Sequence, residues 1–130
     1  MKTTGLFLFL LFVPGELAAA EMTRSAQSGK RTLMHEYANW HLANCTPYPG
    51  TVKVITKPGN GTLVTASGPY VINMNRFTGT RSNCAGKTVT AFKVYYVSKP
   101  GFRGKDNFVL QATYRTGLVV ETDRFTIDVR

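Results

Sequence analysis

The segment that most constrains this chain is Tyr95 to Phe108, YYVSKPGFRGKDNF. An alternating strand runs into a Pro-Gly turn at Pro100-Gly101. A second glycine turn follows at Gly104, and Asp106 stands just before the next strand. Gly101 and Gly104 permit the positive φ that a tight double turn needs. Phe102 can tuck beneath that turn, and Asp106 can accept backbone N–H groups as an Asx-turn. A smaller relative of this joint lies at Lys57 to Leu63, KPGNGTL, where Pro58-Gly59-Asn60-Gly61 reads as a tight connection between two strands. Asn-Gly accepts positive φ at low cost there. Joints of this kind belong to an all-β chain.

The rest of the sequence has the same period of two. Residues 51–56 form a half-buried strand with Val52 and Val54 on one side and Lys53 on the other. Residues 62–66 return, Gly68-Pro69 breaks the chain, and Tyr70 to Met74 makes a further short strand. A loop over 75–87 carries Cys84. In the next strand Phe92, Val94 and Tyr96 face inward, and Lys93 and Tyr95 outward. Phe108, Leu110, Ala112 and Tyr114 alternate likewise, and Thr116-Gly117 turns the chain. The last segment shows a change of phase. Leu118, Val120 and Thr122 share one parity and Phe125, Ile127 and Val129 the other, which predicts a bulge near Asp123-Arg124. Residues 32–44 fit a helical stripe or a strand equally well, through Leu33, Tyr37 and Trp40. About seven short strands predict a single antiparallel β-sandwich over 32–130, with 21–31 as a flexible lead-in.

Residues 1–20 read as an export signal. Lys2 supplies the charge, Gly5 to Val13 the apolar stretch, and Ala18-Ala19-Ala20 a cleavage site before Glu21. The apolar run is shorter than the about 20 residues a membrane span needs, so no transmembrane anchor is expected after cleavage. Export gives the two cysteines their meaning. In an oxidising compartment a single pair reads as a disulfide, Cys45 with Cys84. Trp40, five residues before Cys45, reads as core. Loss of Lys2 and Glu16 with the signal leaves the net charge at +9. So basic a domain favours encounter with polyanions such as acidic glycans or anionic lipid headgroups. The candidate patch is Lys99, Arg103 and Lys105 with Arg76, Arg81 and Lys87.

Catalytic constellations are sparse. His35-Glu36 has no second histidine four residues after the first, so the zinc-protease pattern fails. Glu121 and Asp123 share a strand face among Thr and Arg. Calcium would need several carboxylates together, whereas Asp106 sits between Arg103 and Lys105 on one side and Asn107 on the other. No catalytic residue, metal or cofactor is expected, and no specific nucleic-acid partner.

Pro58, Gly61, Thr62, Tyr96, Gly101, Phe102, Gly104, Asp106 and Phe108 together resemble the paired turn motifs of bacterial immunoglobulin-like and cadherin-like domains. The chain departs from that pattern in placing Pro100 directly before Gly101. The resemblance covers roughly residues 40–129. It implies an immunoglobulin-like sandwich, as in small exported proteobacterial proteins, and it implies no activity. The expectation is therefore a periplasmic or secreted interaction module with an unknown protein or envelope polyanion as partner. A polyanion-binding protein and a small exported enzyme or inhibitor are the alternatives.

Overall fold

The computed structural model describes residues 19–48, 50–75, 78–114 and 119–130. Of the export signal expected over 1–20, residues 1–18 lie outside the described residues, as do Arg76, the Thr116-Gly117 turn and Leu118. The described residues form seven strands and no helix: β1 (Ala20–Ala26), β2 (Thr32–Tyr37), β3 (Gly50–Thr56), β4 (Gly61–Val71), β5 (Thr88–Ser98), β6 (Gly104–Tyr114) and β7 (Val119–Val129). They pair into a four-stranded sheet, β1-β7-β6-β3, and a three-stranded sheet, β2-β5-β4. The two sheets pack as a β-sandwich.

The inward positions of both sheets supply the core: Val94 and Tyr96 from β5, Phe108 and Leu110 from β6, Phe125 and Ile127 from β7. Phe108 and Phe125 are direct cross-strand partners, and their rings stack at 4.5 Å. A second, smaller cluster joins Trp40, Ile72, Cys84 and Val89. Val89 has the parity opposite to Val94 and Tyr96, so β5 buries both of its faces. The Cys45–Cys84 disulfide is present, with Cα atoms 5.5 Å apart and a sequence separation of 39. Closing a loop of that length contributes roughly 4 kcal/mol in the chain-entropy treatment.

Several expectations change. Residues 21–31 are not a flexible lead-in. Ala20–Ala26 is an edge strand that pairs in parallel with β7, from Ala20↔Asp123 to Ala26↔Val129, so the sandwich is not wholly antiparallel. Only Ala26 of this strand is buried, which is why it carries no clear hydrophobic signal. The ambiguity over 32–44 resolves to strand β2 followed by a loop. A bulge between Leu33 and His35 puts Met34 and Tyr37 inside, three residues apart, and leaves Leu33 exposed. That spacing is what imitates a helical stripe. Gly68-Pro69 does not break the chain, because β4 runs through it at a sheet edge, where proline is tolerated.

The Lys57–Asn60 connection is not a hairpin. β3 belongs to one sheet and β4 to the other, so it crosses between them. Neither Asn60 nor Gly61 adopts positive φ. Gly61 is needed for closeness instead: a Cβ there would lie 2.5 Å from the Tyr96 ring and 2.6 Å from the Val97 carbonyl oxygen. The change of phase in β7 is absent too. Its pairing with β6 is unbroken from Val119 to Val129. Asp123, Phe125, Ile127 and Val129 all point inward, and Val120 is 52% exposed.

Candidate functional site

Asp106 lies at the start of β6, buried, and gathers four donors. The amides of Gly59, Asn60 and Asn107 each donate to its carboxylate at 2.9 Å, and the Tyr96 hydroxyl donates at 2.8 Å. The Asx-turn expected within its own loop is therefore not what forms. Asp106 reaches across 46 residues of sequence and clips the Lys57–Asn60 connection onto the β5–β6 joint. Burial opposes its ionisation, but the bonds from Tyr96, Asn60, Asn107 and Gly59 outweigh that and hold the carboxyl below its usual range. Burial first, and the Asp106 carboxylate second, push the Tyr96 hydroxyl far up.

The turn that follows β5 has its expected form. Gly101 and Gly104 take φ of 79° and 130°. The Phe102 amide donates to the Lys99 carbonyl at 3.1 Å, and Phe102 packs against the core. The Lys99 ammonium donates to the Gly59 carbonyl at 3.3 Å, which ties the two turns together a second time. Pro58 is half-buried.

This clip decides where charge collects. The Gly29 amide donates to Ser98 Oγ at 2.8 Å, and the Ser28 amide to the Arg130 carbonyl at 2.8 Å. Lys105 is the cross-strand partner of Asp128. Lys30, Lys57, Lys99, Arg103, Lys105 and Arg130 are thus brought to one end of the sandwich, all exposed. The carboxylates there are engaged. Asp106 is buried under its donors, and Asp128 is held by Arg130 at 2.9 Å.

The candidate patch divides. Lys87 precedes the first residue of β5 and Lys99 follows the last. An 11-residue strand at ~3.3 Å per residue spans several Debye lengths at physiological salt, so Arg81 and Lys87 belong to the other end. Arg76 lies outside the described residues. Lys30, Lys57 and Arg130 join the patch instead. No sequence spacing points to them, because chain folding alone brings them there.

A second buried carboxylate escaped the sequence reading. Asp123, fully buried on β7, accepts a hydrogen bond of 2.7 Å from the Tyr37 hydroxyl of β2. With Tyr96–Asp106 this makes two Tyr–Asp bonds that bridge the sheets. The available signal was parity: Glu121, Asp123, Phe125 and Ile127 form one continuous alternation once a carboxylate is allowed inside. Among the described residues no group of three or more His, Cys, Asp or Glu side chains is placed to hold a metal ion. No helix among them is long and apolar enough to cross a membrane. No family model matches this sequence, and neither a curated protein nor a solved structure does.

Proposed function

We propose that this protein is an exported, non-catalytic binding module that engages acidic polymers through the basic end of the sandwich. The observation that carries this reading is the gathering of exposed cations on turns that Asp106 clips together, with the neighbouring carboxylates already engaged. Fixed turns hold the charges in one place and remove the backbone part of the ordering cost on binding, which favours capture of a repeating anion. The disulfide is consistent with an oxidising compartment outside the cytoplasm.

Heparin serves as the probe. The parent protein should be retained on a heparin support and released by salt. Lys99→Gln, Arg103→Gln and Lys105→Gln together should lower the releasing salt while leaving the thermal midpoint nearly unchanged, since exposed charges contribute little to folding. Elution of the triple variant with the parent would refute the proposal.

A further inference from the structure

The end of the sandwich opposite the basic turns holds a cleft of about 310 Å³ between the sheets. Tyr37 and Phe92 line one side and Val52 and Tyr114 the other, with Tyr48 beside them. A shallower groove shares Pro47, Ser67 and Thr90 with this cleft and continues it along the β4–β5 face. On a chain of net charge +9, no charged side chain among the described residues lines either depression. We infer that the cleft and groove form a binding site for a neutral oligosaccharide.

Three features select that ligand. The described lining carries no charge, so it offers an ion nothing to pair with, and burying an unpaired ion is costly. It is aromatic and hydroxylated at once. Tyr37 and Tyr114 are buried walls. The half-buried Phe92 and Tyr48, the latter backed by the His41 ring at 3.4 Å, can offer ring surface to the C–H edges of a sugar, while Asn39, Ser67 and Thr90 supply amide and hydroxyl groups. A purely aliphatic ligand would strip water from those groups and return no hydrogen bond. The shape is elongated: the cleft holds roughly ten waters' worth of volume at about 30 Å³ each, enough for one or two sugar rings, and the groove extends it for a chain. Tyr37 forms a rigid wall, since its hydroxyl is fixed by Asp123.

The test is titration of the labelled full chain with cellohexaose, maltohexaose and chitohexaose, with phenol as an aromatic compound that is not a sugar. At least one hexasaccharide, at concentrations up to about 20 mM, should shift the amide resonances of Asn39, Ser67, Thr90 and Phe92. Its affinity should exceed that of the matching monosaccharide. Tyr48→Ala, and separately Thr90→Val on an exposed strand residue, should weaken binding about five-fold or more. The triple Gln variant of the basic end should bind unchanged, which keeps this result distinct from polyanion capture. Absence of shifts with all three sugars overturns the inference. So do shifts produced equally by phenol, which would mark a general aromatic pocket.

Discussion

Asp106 is the residue on which most of the described architecture turns. Its carboxylate accepts from three backbone amides and from the hydroxyl of the buried Tyr96. Asp106→Ala should therefore cost roughly 3–4 kcal/mol, as expected for breaking a buried, hydrogen-bonded charge. The pH dependence has a definite sign. A carboxyl held below its usual value contributes stability above the unfolded value of about 3.9, and loses it as pH falls through the folded value. The gap between parent and Asp106→Asn in urea midpoint should be wide at pH 7 and narrow in acid below about pH 4. A gap that persists unchanged in acid would mean that the charge is not what stabilises. Tyr96 behaves in the opposite sense. Its raised value keeps its contribution intact below about pH 10 and lost as pH climbs through the folded value, so Tyr96→Phe should flatten the alkaline limb of the stability profile. The sequence marked Asp106 as a turn residue, because Asp before a strand is a local signal. Its true partners, Gly59 and Asn60, are distant in sequence, and no local rule names them.

Among the elements, β5 and β6 were legible because hydrophobic alternation at Val94, Tyr96, Phe108 and Leu110 is strong and unbroken. β1 was hidden, since a parallel edge strand buries little. β2 was obscured by its bulge. β7 was misread because charges are expected outside, and Asp123 is not. Two substitutions test these assignments. Val120→Glu should alter stability by less than about 0.5 kcal/mol, as for any exposed site. A much larger loss would restore the change of phase. Gly61→Ala should destabilise by roughly 1–3 kcal/mol, since the new methyl must displace the Tyr96 ring or the β5 backbone. An unchanged melting temperature would show that Gly61 does not approach β5 this closely. The disulfide, by contrast, could be read from two cysteines and the expectation of export, because with one pair there is only one pairing.

At the scale of the whole molecule, the sandwich separates two chemistries. Six cations gather where β5 ends, and a cleft whose described lining is aromatic and uncharged opens where it begins, the end that also carries Arg81 and Lys87. Half of the candidate basic site was legible, in Lys99, Arg103 and Lys105, because a glycine turn must lie at an end of the sandwich. Lys30, Lys57 and Arg130 were not, because their neighbourhood depends on β1 pairing with β7 and on the crossing between sheets. The measurement that tests this arrangement most directly varies the position of a charge change. Binding of a heparin oligosaccharide is titrated against salt for the parent, for Lys99→Gln/Arg103→Gln/Lys105→Gln, and for Arg81→Gln/Lys87→Gln. The first variant should reduce the slope of log affinity against log salt by roughly 2, through lost counterion release, and the second should leave it near the parent value. Equal reductions per charge removed from either end would contradict a localised site, and the basic balance would then act as a diffuse field.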